Sequence, residues 1–257
     1  MAAIRERQGR VDEAVELLRT WGGASVNGRD QLAELLVRQE RIAELHEYAA
    51  TEHHGQAAEC LAEYLERLGD VEGAIAVYRR PGDSSSRRVN GLMRLAQLLT
   101  RHGRDDEAAE VLLSLAESAG GELDWKVELL CRHYLDQGRA LDGLAYLDDL
   151  RGRRGGEEWD IFRMRLPLMV GCGRREEAIE LVRGHPERDT SYGAGALAEL
   201  LAGAGRTDEA VAVLQRQESG VASTLAGYLI DLGRVEDAIA VLRGEDRAAG
   251  SVAPGVR

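Results

Sequence analysis

The sequence predicts an all-α fold: an α-solenoid of antiparallel helix pairs, about seven pairs plus an N-terminal partial repeat. Three observations predict it. First, one phrase keeps returning. Gly205-Arg206-Thr207-Asp208-Glu209-Ala210-Val211 repeats Gly9-Arg10-Val11-Asp12-Glu13-Ala14-Val15, and residues 69–75 and 103–109 are close variants. Gly138-Arg139, Gly173-Arg174 and Gly233-Arg234 open three more, and Glu40-Arg41 opens a degenerate one. The turn positions 9, 40, 69, 103, 138, 173, 205 and 233 are spaced by 31, 29, 34, 35, 35, 32 and 28 residues. A recurrence of about 20–50 residues marks a solenoid or array. Second, apolar residues on both sides of each turn fall at helical spacing, as in Leu197, Ala198, Leu200 and Leu201 before Gly205. Third, the chain is 44% hydrophobic but only 4% aromatic, so the core is built from Leu, Val, Ile and Ala, which suits close-packed helices.

Each unit reads as a first helix, a tight Gly turn, a second helix and a link. Seven residues before the turn stand Ala33, Ala62, Ala96, Cys131, Leu166, Ala198 and Ala226. Five after it stand Ala14, Leu45, Ala74, Ala108, Gly143, Ala178, Ala210 and Ala238. These mostly small columns predict close approach of the paired helices. Leu36, Leu65, Leu99, Tyr134, Met169, Leu201 and Leu229 stand four before the turn; Leu18, Tyr78, Leu112, Leu147, Val182, Leu214 and Leu242 stand nine after it. These large residues are expected to fill the space between stacked pairs.

Taken in order, the first unit has only residues 1–8 ahead of its turn. That reads as a piece of a longer protein or as a short helix over residues 4–8. Later pairs are expected at 29–50, 56–79, 88–118, 123–151, 157–184, 192–217 and 221–243. Residues 81–86 and 152–156 have loop chemistry. Pro167 inside a first helix is expected to kink it or end it early. Residues 244–257, small and polar without apolar period, read as a flexible tail after a repeat region at 1–243.

These columns resemble the tetratricopeptide repeat family: a leucine then a small residue in the first helix, the Gly turn, then an alanine and a large apolar residue in the second. The family's early tryptophan and closing proline are mostly absent. The resemblance implies a right-handed superhelix whose first helices line a groove for a peptide or a partner's helix.

Composition narrows the function. The formal net charge is −12, which argues against direct nucleic-acid binding. Cys60, Cys131 and Cys172 lack metal-type spacing and read as reduced cytoplasmic thiols. No apolar run approaches the roughly 18 residues of a membrane span. Lys126 is the only lysine, which reads as the base composition of a GC-rich bacterial genome. No cofactor motif stands up. Residues 193–198 match G-x-G-x-x-A but lack the preceding strand that a dinucleotide site needs.

Groove positions lie ten, six and three residues before each turn: Asp30, Glu34 and Val37; Glu59, Glu63 and Glu66; Met93, Gln97 and Thr100, with Arg101 beside them; Glu128, Arg132 and Leu135. The acids of the second and third pairs point to a partner with a basic segment. The expected function is a non-enzymatic protein- or peptide-binding scaffold, the sensor or assembly arm of a larger bacterial regulator. Two alternatives stand beside it. One is a metal-dependent hydrolase using His46, Glu47, His53 and His54, although Ala50 stands where a second zinc-binding histidine belongs. The other is a structural spacer.

Overall fold

The computed structural model describes residues 1–20, 25–26, 29–51, 55–80, 85–117, 124–217 and 219–244. The described residues are almost wholly helical. The first pair is α1 (Ala2–Arg7) with α2 (Val11–Thr20), and the second is α3 (Gln31–Arg38) with α4 (Ile42–Thr51). Then follow α5 (Gln56–Arg67) with α6 (Val71–Arg79), and α7 (Ser85–Arg101) with α8 (Asp105–Glu117). α9 (Asp124–Asp136) and α10 (Ala140–Arg154) flank the turn at Gly138. Three more pairs follow: α11 (Trp159–Gly171) with α12 (Arg175–Gly184), α13 (Ser191–Gly203) with α14 (Thr207–Gln215), and α15 (Ala222–Asp231) with α16 (Val235–Arg243). A two-residue antiparallel bridge, β1 (Ser25–Val26) with β2 (Arg29–Asp30), and one 3-10 turn at Pro186–Asp189 complete the described elements.

The helices form two compact units, Met1–Leu130 and Cys131–Arg257, divided within α9. Inside unit 1 the second helix of each pair packs on the first helix of the next, from α1 to α8. The same nearest-neighbour stacking runs from α10 to α16 in unit 2.

One turn closes every pair. The residue after each turn position donates its N–H to the carbonyl four before that position, as in Arg104 N to Leu99 O at 2.9 Å and Arg206 N to Leu201 O at 2.9 Å. This is the Schellman bond, and it needs a left-handed residue at the turn position. The seven glycines there have φ between 68° and 82°, and Glu40 adopts φ 54° in the eighth turn. Both small columns are buried, from Ala33 and Ala14 to Ala226 and Ala238. Of the large columns, Tyr78 is half-buried and Leu242 is exposed, while the remaining members are buried.

Charged side chains tie neighbouring pairs together on the second-helix side. Arg41 pairs with Glu44 on its own helix and with Asp12 on α2, while Arg19 of α2 reaches Glu44 at 2.8 Å. The same quartet joins α6 to α8 through Glu72, Arg79, Arg104 and Glu107. It joins α12 to α14 through Glu176, Arg183, Arg206 and Glu209. The repeated phrase therefore holds two halves: the turn residue closes the turn, and the arginine pairs with the acid three residues on, while Arg41, Arg104 and Arg206 also reach the preceding pair. The third unit shows the rule by exception. Asp70 replaces the arginine and caps α6 by accepting from Gly73 N at 2.9 Å, and glycine replaces the acid.

Three helix ends differ from the sequence expectation by three residues or more. α7 begins at Ser85 rather than 88. α10 runs through Gly152 to Arg154 and stops at Gly155, whose φ of 73° supplies a left-handed C-cap; Arg151, Arg153 and Arg154 favour the helix's negative end. α11 does not end at Pro167 but continues to Gly171. The tail expected at 244–257 lies, from residue 245 onward, outside the described residues.

Candidate functional site

The groove positions were chosen by counting back from the turns, and they divide into three kinds. Asp30 is only 3% exposed and caps α3: Oδ1 accepts from Leu32 N at 2.9 Å and Ala33 N at 3.1 Å, and Oδ2 accepts from the Tyr48 hydroxyl at 2.6 Å. Its carboxylate is spent inside the fold. Glu34 is half-buried, 3.7 Å from Arg38 on the same helix, and Val37 is also half-buried.

The α5 acids form the second kind. Glu66 receives a two-pronged bond from Arg101 of α7, Nε to Oε1 at 3.1 Å and Nη2 to Oε2 at 2.7 Å, and His102 Nε2 lies 2.9 Å from Oε1. These bonds, Arg101's first, hold the Glu66 carboxyl below the usual carboxylate range. Glu59 pairs with Arg94 of α7 at 2.7 Å. Glu63 stays exposed between them. The sequence placed Glu66 and Arg101 on one surface; the structure joins them directly.

The third kind lies on α7 and α9. Gln97 is exposed, and Met93 and Thr100 are half-buried. On α9, Glu128 and Leu135 are half-buried and Arg132 is exposed.

A cavity of about 780 Å³ opens in unit 1 where the C-terminal ends of α4 and α6 meet the first halves of α5 and α7. Three groove positions line it: Glu59, Met93 and Gln97. Among the described residues, four arginines line it too (Arg79, Arg80, Arg88 and Arg94) against a single glutamate. Arg79 is held by Glu107 and Arg94 by Glu59, whereas Arg80 and Arg88 have no ion pair among the described residues. Asn90 and Tyr78 add polar lining, and burial pushes the Tyr78 phenol well above its ordinary range, which keeps its proton in place. In a chain of net charge −12 this is a cationic concavity, the arrangement that focuses field onto an anion. Counting back from the turns misses Arg79 and Arg80, which end a second helix. The signal for them in the sequence is the Arg79-Arg80 doublet, followed by Arg87-Arg88 after a short link.

The other motifs resolve into structural roles. Gly193 starts the fingerprint-like stretch, but it lies in the first turn of α13. A Cβ there would sit 2.2 Å from the Glu187 carbonyl oxygen, so the glycine lets the 3-10 turn pack close. His46 and Glu47 lie on α4; His53 and His54 fall outside the described residues. Among the described residues no three His, Cys, Asp or Glu side chains converge as metal ligands do. Burial first, then Glu63 and its neighbours, pushes the Cys60 thiol up to about 11, which leaves it protonated and poorly nucleophilic. Cys131 is buried in the small-residue column, and Cys172 is the residue after α11 rather than part of it. Arg165 of α11 is buried and held by Asp148 and Glu157, each at 2.8 Å. Among the described residues no helix is long and apolar enough to cross a membrane.

Helix pairs, a left-handed turn between their members and two buried columns of mostly small residues are all in place. The repeats are tetratricopeptide-like. No protein-family model and no curated protein matches the sequence. Among solved structures, a tetratricopeptide repeat protein from Parabacteroides merdae is similar at 14% identity and a TM-score of 0.38, with 89% of this chain and 94% of that chain covered. A structure titled MamA MSR-1 C2 is similar at 14% identity and a TM-score of 0.34, covering 72% of this chain and 95% of that one. BtubC (BKLC) from P. vanneervenii is similar at 18% identity and a TM-score of 0.34, covering 89% and 96%.

Proposed function

We propose that the chain is a non-enzymatic protein-interaction module whose unit 1 cavity takes an acidic segment of a partner protein. One observation carries this reading: among the described residues, four arginines stand against one glutamate around a cavity of about 780 Å³, and two of the four have no ion pair. Guanidinium groups bind carboxylates in fork geometry, so an extended Asp- or Glu-containing segment is the matching chemistry. This reverses the sign that the sequence suggested. Arg94 and Arg101 already offset Glu59 and Glu66, which leaves Glu63 as the one unpaired α5 acid of the three.

The test is fluorescence anisotropy with two labelled decapeptides, one Glu-rich and one Lys-rich, on the full chain. The Glu-rich probe should bind, and binding should weaken as salt rises. Arg80→Glu with Arg88→Glu should lower its affinity by about tenfold or more with helicity unchanged. Preference for the Lys-rich probe, lost on Glu63→Arg, would restore the basic-partner reading. Binding of neither would remove the cavity as the site.

A further inference from the structure

We infer that the outer face of α16 receives the first helix pair of a second copy, so that chains associate head to tail. The repeat columns show what that face is built for. Six residues after the turn stand Val15, Ile75, Ala109, Leu144, Ile179 and Val211, all buried, with His46 half-buried, and then Ile239, 38% exposed. Nine after the turn stand Leu18, Ala49, Leu112, Leu147, Val182 and Leu214, all buried, with Tyr78 half-buried, and then Leu242, 60% exposed. For α2, α6, α10, α12 and α14 the next first helix packs against the helix that carries these positions. The side chains of α16 are of the same kind and stand open.

The complementary face is at the other end. Eight residues before the turn, Leu32, Leu61, Leu95, Leu130, Arg165, Leu197 and Leu225 are buried; five before it, Leu35, Leu98, His133, Leu168 and Leu200 are buried, with Tyr64 and Tyr228 half-buried. In the first pair these columns hold Met1, 85% exposed, and Ile4, 53% exposed.

Charge selects the occupant. The three quartets use an acid three residues and an arginine ten residues after one turn, and an arginine one residue and an acid four residues after the next. The chain has this full set at three consecutive-turn junctions, and at each the quartet forms. The last repeat carries the acid of a further set, Glu236, which is exposed, with Arg243 at the arginine position. The first repeat carries the receiving half, Arg10 and Glu13, also exposed. Residues 244–257 lack the apolar period of a first helix and do not match these columns. A second copy presenting Met1, Ile4, Arg10 and Glu13 matches both the apolar and the charged positions. The two faces differ, so the contact is heterologous and not a two-fold dimer.

Sedimentation velocity on the full chain, loaded at up to about 1 mM, tests this. The parent chain should form species heavier than a monomer in proportion to concentration. Ile4→Glu and Leu242→Glu should each stay monomeric, with melting curves like the parent's. Mixed in equal amounts, the two variants should form a dimer and nothing heavier, because each retains the face that the other lacks. Glu236→Arg should weaken the parent's association and leave the monomer folded. A parent that stays monomeric at every concentration would overturn the inference. So would an assembly that both single variants retain, or a mixture that stays monomeric.

Discussion

Glu40 is the residue at which this fold works against its own chemistry. Its turn forms the same bond as the others, Arg41 N to Leu36 O at 2.9 Å, but with φ 54° on a residue that has a Cβ. A left-handed L-residue costs roughly 1–2 kcal/mol from the clash between Cβ and the following carbonyl. Glycine removes that clash and adds unfolded-state entropy, which offsets part of the gain. Glu40→Gly should therefore stabilise the chain by about 0.5–1 kcal/mol, read as a higher urea midpoint with an unchanged slope. Gly205→Ala, placed at φ 76°, should move the midpoint the other way. Equal midpoints for Glu40→Gly and the parent would mean that Glu40 is not strained.

At the scale of the helix pair, packing depends on two columns of mostly small residues, both buried. Ala198 of α13 and Ala210 of α14 are each fully buried, so Ala198→Leu or Ala210→Leu must push the helices apart or bend rotamers. The expected cost is about 1–3 kcal/mol in a thermal or urea melt, and a melt equal to the parent's would contradict the packing described. Those columns were legible in the sequence because their spacing from each Gly is fixed by one turn of chain, whatever the links do. Helix ends were less so. Gly152 looks like loop chemistry, yet α10 runs through it because Gly155 supplies the cap and three arginines suit the last turn. The site was legible only in part. Glu59, Met93 and Gln97 were found by counting, but the count cannot show that Arg94 offsets Glu59, because that partner stands a whole repeat away. Asp30 shows the same gap: its position reads as groove, while its neighbours Leu32, Ala33 and Tyr48 make it a buried cap.

The whole molecule is stabilised through neighbours. In each unit a pair packs against the pairs beside it, and the ion-pair quartets bridge only adjacent pairs. Quasi-one-dimensional architectures of this kind lose structure locally, because each repeat draws stability from its own contacts and its two interfaces. Leu214→Ala tests this in unit 2. Leu214 is fully buried on α14, and its truncation should cost about 2–5 kcal/mol. Hydrogen exchange followed by mass spectrometry should then show faster exchange in α13, α14 and the adjoining α15, where the side chain's packing is lost. The amides of α1–α6 should exchange at the parent's rate, since none of those helices belongs to the pairs that α14 packs on. A uniform rise in exchange along the chain would instead mean that all the helices open as one cooperative body, and the nearest-neighbour description of the stack would then be wrong.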